Sequence, residues 1–225
     1  MNGLFITFEG TEGSGKTTQI ALLAKRLQDE GRVVRTLREP GGTPIGEEIR
    51  YTLKHSDKNQ AMTPEAELLL MNASRAQLVR EIIRPALEAG EIVLCDRFYD
   101  STLVYQGYGR GLDLTMVRAV IDVAVGETRP DLTLLLMVPV VVSEARRQIR
   151  ISTGPANIPP LRDRMEEADR SFFERVEQGY RAIAKSETDR IHMLDGTKSL
   201  EEVTQAIWKE VSGLLMRQKK IEAEH

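Results

Sequence analysis

The stretch FITFEGTEGSGKTTQIALLAKRL, residues 5–27, decides the fold of this protein. Its apolar first residues predict a short strand that ends at Glu9, and the segment KTTQIALLAKRLQDEG predicts a helix with Gly31 at its C-cap. Between the two, Gly10 to Thr17 fit the phosphate-loop pattern G-x-x-x-x-G-K-[ST]. A strand before this pattern and a helix after it are the context in which the pattern binds a nucleoside triphosphate, so we predict such a site here.

Each residue type in this loop has a physical role in holding phosphate. The glycines let the backbone turn so that successive N–H groups point at an anion, and the helix that begins near Lys16 directs its positive end to the same place. Lys16 is predicted to reach the β- and γ-phosphates, and Thr17 to offer its hydroxyl to Mg²⁺. The residues predicted to bind the nucleoside triphosphate are Gly10, Thr11, Glu12, Gly13, Ser14, Gly15, Lys16, Thr17 and Thr18.

Beyond this loop, short apolar runs alternate with longer helical patterns. The nearly continuous apolar character of the runs is typical of parallel strands that are covered by helices on both faces. We therefore predict an α/β fold, a doubly wound five-stranded parallel sheet with ligands at the carboxyl ends of the strands. The predicted strands are 4–9, 33–39, 91–96, 131–138 and 189–194.

The remaining segments complete a single predicted domain over residues 1–217. Thr-Pro pairs begin two helical patterns, at Thr43 and at Thr63, and the second pattern runs to residue 90 with Pro85 inside it. A short lid is predicted at about 146–164, around the Pro- and Gly-rich sequence ISTGPANIPP, and residues 218–225 are predicted to be a disordered tail.

Composition excludes several classes of protein. A chain of 225 residues is long enough for one sizeable core, and a net charge of −3 gives no bulk reason to expect nucleic-acid binding. One cysteine, Cys95, leaves no internal disulfide, and the metal-site spacing of Cys and His is absent. No apolar run reaches membrane-spanning length and no signal-peptide pattern opens the sequence, so we expect a cytoplasmic protein without a membrane partner.

Arginines near predicted strand ends indicate a second anion site opposite the phosphate loop. Arg38 ends the second predicted strand, Arg97 follows the third, and Arg75 lies on the long helix beside them. Planar guanidinium groups grip phosphate in a bidentate manner, as a kinase for a phosphorylated acceptor requires. Asp96 stands at the end of an apolar strand, where a carboxylate can hold Mg²⁺. The Asn-Lys-x-Asp motif of a GTPase switch is absent from the sequence.

Several longer segments resemble the thymidylate kinases. DRFYDSTLVYQ (96–106) is similar to the signature segment of that family, and REPGGT (38–43) and SRAQLV (74–79) resemble two further segments of its bacterial members. RPDLTLLL (129–136) and DRMEEADRSFFERVEQGY (163–180) are similar to the later parts of the family, so the resemblance covers nearly the whole chain.

The resemblance implies phosphoryl transfer from ATP to dTMP, giving ADP and dTDP, in a homodimer. It implies that Glu12 lies near the sugar 3′-hydroxyl, that Arg97 approaches the acceptor phosphate and that Tyr105 excludes a ribose 2′-hydroxyl. Met71 stands at the position that the family usually fills with a thymine-stacking Phe. The implied substrate-binding residues are Glu12, Arg38, Met71, Arg75, Arg97, Ser101, Thr102, Tyr105 and Gln106.

The family draws its transition-state arginine either from the phosphate loop or from the lid, and this loop contains no arginine. The resemblance therefore implies a lid arginine, for which Arg150 is our first prediction and Arg162 our second; Arg146 and Arg147 also flank the lid. The predicted catalytic residues are thus Lys16, Arg97, Arg150 and Glu12. Two alternatives stay open on the sequence alone: a kinase for another nucleotide or nucleoside acceptor, and a non-catalytic nucleotide-binding switch.

Overall fold

A computed structural model describes residues 3–152, 163–165 and 167–223, with the backbone alone at 150–152 and 219–223. Within it a five-stranded parallel sheet has helices on both faces, as the sequence predicts. The strands are β1 (Leu4–Glu9), β2 (Val34–Arg38), β3 (Ile92–Asp96), β4 (Leu132–Met137) and β5 (Ile191–Asp195). The α-helices are α1 (Lys16–Asp29), α2 (Pro44–Lys54), α3 (Pro64–Leu78), α4 (Arg84–Glu88), α5 (Tyr99–Thr102), α6 (Leu114–Val125), α7 (Val140–Ser152), α8 (Arg170–Ser186) and α9 (Leu200–Ala223).

Strand order places the phosphate-loop strand in the middle of the sheet. The order is β2-β3-β1-β4-β5, and every pair of neighbours is parallel. In this register Phe8 of β1 and Arg38 of β2 both lie beside Asp96 of β3. The carboxyl ends of β1, β2 and β3 therefore meet at one edge, which is where ligands bind in open α/β sheets.

Burial on both faces explains why the strands are nearly all apolar. Phe5 and Val93 point into one core with residues of α3, α6 and α8. Ile6 and Leu94, one position further along the same strands, point into the other core with α1 and α9. Because side chains alternate across a strand, both sets must be apolar when helices cover both faces.

The helix predicted over 63–90 is divided into three parts. α3 begins after Thr63, whose hydroxyl accepts from the Ala66 N–H as predicted for an N-cap, and it is followed by a wider π-helical turn over Val79–Ile83. α4 then carries Pro85 in its first turn. Proline has no N–H and crowds the preceding turn, which accounts for the change in helical geometry before it.

Other element boundaries also differ from prediction, by one residue at each changed end of β2, β3 and β4 and by more elsewhere. β5 runs to Asp195, one residue beyond the predicted strand, and begins two residues later. The backbone of α9 continues to Ala223, through most of the segment predicted to be disordered from residue 218. α7 extends through the first residues of the predicted lid, and the lid residues 153–162 lie outside the described ranges. Among the described helices, none is long and apolar enough to cross a membrane.

Candidate active site

The phosphate loop takes its shape from backbone conformations that favour glycine. Gly10 has a φ of 132°, and a Cβ there would lie 2.2 Å from the Leu136 carbonyl oxygen of the neighbouring strand. Gly15 is the N-cap of α1 in the left-handed conformation, with φ 96° and open space around it. Gly10 thus lets the loop pass close to β4, and Gly15 leaves room for a ligand at the helix N-terminus.

Lys16 folds back over this loop. Its Nζ donates to the carbonyl oxygens of Gly10 at 3.1 Å and Thr11 at 3.0 Å, and to Ser14 Oγ at 3.5 Å. Burial, reinforced by the charge of Arg97, lowers the pKa of Lys16 to about 8. An anionic ligand in the loop would restore the preference for the charged form, because an opposite charge nearby raises the pKa of an amine.

The predicted Mg²⁺ ligands lie next to each other. Thr17 Oγ1 donates to Asp96 Oδ2 at 3.0 Å, across the top of the β1–β3 pair. In the described part of the chain, no three His, Cys, Asp or Glu residues form a group that could hold a metal ion by themselves. One hydroxyl and one carboxylate fit Mg²⁺ nevertheless, since this ion keeps water and substrate phosphate among its six ligands.

Two adjoining cavities open at this edge of the sheet. The loop cavity, of about 1050 Å³, is lined by Glu12, Gly13, Gly15, Lys16, Thr17, Thr18, Arg38, Glu39, Arg50, Lys54, Asp96, Arg97 and Asp163. The inner cavity, of about 560 Å³, is lined by Glu12, Glu39, Pro40, Lys54, Met71, Arg75, Arg97, Ser101, Thr102, Tyr105, Gln106, Met165 and Phe173. Eight of the nine predicted substrate residues are therefore in the inner cavity wall.

The ninth residue, Arg38, lies on the wall of the loop cavity alone. Its Nη2 donates to Glu47 Oε2 at 3.1 Å, and half of its side chain is exposed. β2 is the edge strand of the sheet, so its end lies further from the inner cavity than the end of β3. In this position Arg38 can meet a phosphate at the mouth of the loop cavity.

Arg97 lies where the two cavities meet. Its backbone φ of 72° is unusual for a residue other than glycine, and such conformations persist where surrounding contacts fix them. Nη1 donates to Ser101 Oγ at 3.0 Å and to Tyr180 OH at 3.2 Å, and Nη2 donates to Glu12 Oε1 at 3.2 Å. The guanidinium also lies over the ring of Tyr105, at 5.1 Å.

Arg75 is buried in the wall of the inner cavity, with partners for all five of its N–H donors. Its Nε and Nη2 contact Glu39 Oε2 at 2.8 and 2.6 Å, and the remaining donors reach Asn72, Thr102 and the Phe98 carbonyl. A substrate contact by Arg75 therefore requires a shared hydrogen bond or the loss of one of these partners.

Two buried atoms of the inner cavity lack a hydrogen-bond partner within the described ranges: Tyr105 OH and Glu39 Oε1. Burial raises the pKa of Tyr105 to about 12 and that of Glu39 to about 7, despite the opposing charge of Arg75 in the second case. Buried polar atoms are usually satisfied, so these two are candidates for contact with a bound molecule.

Comparisons with known proteins identify the family to which this chain belongs. The family model described as thymidylate kinase matches residues 8–207. The thymidylate kinase of Syntrophotalea carbinolica is 49% identical over 94% of this chain and 96% of its own length. That of Deinococcus radiodurans is 46% identical over 93% of this chain and 97% of its own.

The chain belongs to the thymidylate kinase family. A solved structure agrees: thymidylate kinase from Ehrlichia chaffeensis superposes with a TM-score of 0.72 at 33% identity, covering 94% of this chain and 99% of the other. The family resemblance and the α/β fold predicted from the sequence are thus confirmed.

The site of this thymidylate kinase family member includes residues beyond those predicted from the sequence. The cavity walls and their supports include side chains that sequence analysis did not single out. These residues are Glu9, Glu39, Pro40, Arg50, Lys54, Asp163, Met165, Phe173 and Tyr180. Glu39 and Pro40 lie inside the quoted REPGGT segment, and Glu9 is a charge at the end of an otherwise apolar strand; both were available signals.

Glu9 holds the start of the DRFYDSTLVYQ segment (96–106) through hydrogen bonds. It is fully buried, and its carboxylate accepts from the Phe98 N–H at 2.8 Å, from Ser101 Oγ at 2.6 Å and from Tyr180 OH at 2.8 Å. Burial and the charge of Asp100 raise the pKa of Glu9. Through these bonds Glu9 fixes the start of α5 and the groups that hold Arg97.

Gln106 is oriented by a buried carboxylate on α3. Its Nε2 donates to Glu67 Oε1 at 2.9 Å, and the same carboxylate accepts from Arg110 and Arg164. Because an ionised carboxylate can only accept, the amide nitrogen of Gln106 must face Glu67. The side-chain carbonyl oxygen of Gln106 is then available as a hydrogen-bond acceptor for a ligand in the inner cavity.

The lid arginines of the thymidylate kinase prediction lie partly within the described ranges. Arg146 Nη1 donates to the carbonyl oxygens of Gly13 and Gly196, both at 3.0 Å, so it supports the phosphate loop from α7. Arg147 lies 5.7 Å from the centre of the Phe173 ring. Arg150 is on the last turns of α7, but its side chain and the whole of Arg162 lie outside the described residues.

Proposed function

We propose that this chain transfers the γ-phosphoryl group of ATP directly to a phosphate oxygen of dTMP, giving ADP and dTDP. ATP would occupy the loop cavity, with its phosphates in the glycine-rich loop, and dTMP the inner cavity. Membership of the thymidylate kinase family supports this reaction over the two alternatives left open by the sequence, a kinase for another acceptor and a nucleotide-binding switch.

The observation that carries the proposal is the junction of the two cavities. Glu12 and Arg97 line both, so a donor phosphate on one side and an acceptor phosphate on the other would meet beside them. Holding two reacting groups in contact and in line is, with electrostatic stabilisation, the main contribution that a protein makes to phosphoryl transfer.

The chemical difficulty of this reaction is the meeting of two anions. Lys16 would neutralise the β- and γ-phosphates, and Arg97 the acceptor phosphate. Mg²⁺ held by Thr17 and Asp96 would supply further positive charge at the donor phosphates. A strong general base is unnecessary, because the attacking oxygen of dTMP already carries negative charge.

Glu12 would position groups at the junction without transferring a proton. Although burial acts to raise its pKa, the charges of Arg97, Lys16 and Lys54 outweigh that effect and hold the pKa well below its usual range. It is therefore an anion at neutral pH and can accept a hydrogen bond from a sugar hydroxyl or orient Arg97.

Recognition of the base would rest on Gln106 and Met71. The Gln106 carbonyl can accept the N3–H of thymine, whereas cytosine presents an acceptor at N3 and would leave both oxygen and nitrogen without a donor. Met71 lines the same cavity and can pack against the base through its thioether in place of an aromatic ring. Tyr105 would limit space at the ribose 2′ position.

The lid would complete the charge neutralisation. Arg150, with Arg162 as the second candidate, would reach the transferred phosphoryl group, since the phosphate loop itself carries no arginine. Closure of the lid would also exclude water, which would otherwise hydrolyse ATP.

A homodimer is part of the proposal. Arg80, in the π-helical turn that follows α3, donates to the Ala124 carbonyl of α6 at 2.8 Å. Exposed apolar side chains are Leu69 on α3 and Met116 and Val123 on α6. We propose that these side chains belong to the interface between subunits, since association buries exposed apolar surface. Light scattering of the purified protein would test it, with a monomer contradicting the proposal. The cytoplasmic location stays a prediction from the sequence.

The test of the acceptor assignment compares dTMP with thymidine. ADP release is followed with MgATP and each acceptor in turn. We expect release with dTMP and none above background with thymidine, because the second anion site is built for a phosphate. Equal release with both acceptors, or release that is independent of either, would overturn the assignment.

A further inference from the structure

We infer that Lys54 is a second cation for the acceptor phosphate, beside Arg97. Four side chains line both the loop cavity and the inner cavity: Glu12, Glu39, Lys54 and Arg97. Two of the four are cations, and only Arg97 has been given a role in the reaction. This inference rests on the proposed function, since it concerns the phosphate of the same substrate.

The position of Lys54 is fixed by the backbone around it. It is the last residue of α2, and its carbonyl oxygen accepts from the Arg164 N–H at 3.1 Å. That bond joins the end of α2 to the last residue of the predicted lid. The side chain is 14% exposed, so most of its stem is packed and its ammonium group has a limited choice of positions.

The ammonium group of Lys54 at present contacts a carboxylate. Nζ lies 2.6 Å from Oδ2 of Asp163, which lines the loop cavity and is itself only 12% exposed. Arg97 is in the same condition, since its Nη2 contacts Glu12 at 3.2 Å. Arg97 also lies 4.0 Å from Glu9 Oε2. The Lys54 ammonium group has three N–H donors and contacts Asp163 through one carboxylate oxygen, so it can offer further donors to an arriving phosphate.

The field of Lys54 reaches the phosphate loop. Its charge is one of those that overcome the effect of burial on Glu12 and lower the pKa of that carboxyl group. A phosphate monoester carries between one and two negative charges at neutral pH, more than Asp163 can offer. Lys54 therefore gains a stronger partner when the acceptor binds, while Asp163 keeps its ammonium group at the junction beforehand.

The experiment measures Kd for dTMP and for thymidine, by calorimetry, in the wild type, Lys54→Met, Lys54→Arg and Lys58→Met. Methionine matches the lysine stem but has no charge. Lys58→Met is the control, because Lys58 is exposed, lies four positions further on and lines neither cavity. Thermal unfolding of each variant confirms that it is folded.

We expect Lys54→Met to weaken dTMP binding about 10- to 100-fold, the usual effect of losing a charged hydrogen bond, and to change thymidine binding less than about twofold. Lys54→Arg should retain most of the dTMP affinity, and Lys58→Met all of it. An equal effect on both ligands, or no effect on either, would overturn the inference. If the wild type itself failed to bind dTMP more tightly than thymidine, the proposed function would fall instead.

Discussion

Replacement of Glu67 by Gln tests the buried cluster that orients the base pocket. Glu67 is fully buried and accepts hydrogen bonds from Gln106, Arg110 and Arg164. The side chain of Arg110 is 20% exposed and that of Arg164 is 13% exposed. Glutamine keeps the shape of the side chain but has no charge and one acceptor oxygen in place of two. Two largely desolvated guanidinium groups would then lose their counter-ion.

The size of the effect follows from this burial. Breaking a buried ion pair by removing one partner costs about 3–5 kcal/mol, and the partial exposure of both arginines points to the lower end, about 3 kcal/mol. For a chain of this size each kcal/mol lowers Tm by about 2–4 °C, so we expect Tm to fall by about 6–12 °C. Scanning calorimetry measures it directly.

Glu65→Gln is the matched control, because it removes the same charge from an exposed position in the same turn of α3. Its Tm should stay within about 1–2 °C of the wild type, as surface substitutions usually do. A glutamine at 67 can also donate to Gln106 and let its amide turn, so the preference for dTMP over dCMP in kcat/KM should fall. The reasoning is refuted if Glu67→Gln behaves like Glu65→Gln in both measurements.

Three further predictions concern the phosphate machinery. Lys16→Met should lower kcat by at least about 10²-fold without loss of the folded state by circular dichroism, since it removes a preorganised charge from the reacting phosphates; a variant with near-normal turnover would contradict this role. Burial lowers the pKa of Lys16 in the folded state to about 8, whereas the unfolded chain has the usual lysine pKa of about 10.4. Between these two pH values the unfolded state binds one more proton, so the free energy of unfolding of the wild type should rise with pH relative to that of Lys16→Met, by up to about 3 kcal/mol. Urea titrations measure this free energy, and an unchanged difference between the two proteins across the window would contradict the pKa shift. Arg150→Ala should lower kcat about 10³-fold with little change in dTMP affinity, and finding this behaviour in Arg162→Ala alone would transfer the role to Arg162.

The sheet and the phosphate loop could be predicted from sequence because their signals are local. A run such as LFITFE is apolar on both faces for the physical reason that helices cover both, and the loop pattern is contiguous. Residues at strand ends also follow, since parallel strands bring Glu9, Arg38 and Asp96 to one edge whatever the loops between them do.

Side chains on helices could not be placed in this way. Glu67 is in the first turn of α3, where an acidic residue has an ordinary role at the helix N-terminus, and its partner Arg164 is 97 positions away. Lys54 ends α2, where a lysine favours the helix C-terminus, and its partner Asp163 lies at the end of the predicted lid, far along the sequence. The local role at a helix end explains either residue without its tertiary partner, so the sequence pattern does not indicate that Glu67 and Lys54 belong to the site.

Arg38 shows that a correct position at a strand end does not fix which cavity the side chain lines. It does end β2, but β2 is an edge strand and the side chain contacts Glu47 at the mouth of the loop cavity. The interruption of the helix predicted over 63–90 has a local cause in Pro85.

Acceptor selection is tested most directly by measuring ADP release with MgATP and six monophosphates in turn: dTMP, dUMP, dCMP, dGMP, dAMP and UMP. The orientation of Gln106 by Glu67 predicts rapid release with dTMP, weaker release with dUMP and almost none with the other four, UMP being rejected at its 2′-hydroxyl by Tyr105. Comparable kcat/KM values for dTMP and dCMP would contradict the assignment of this cavity to thymidylate.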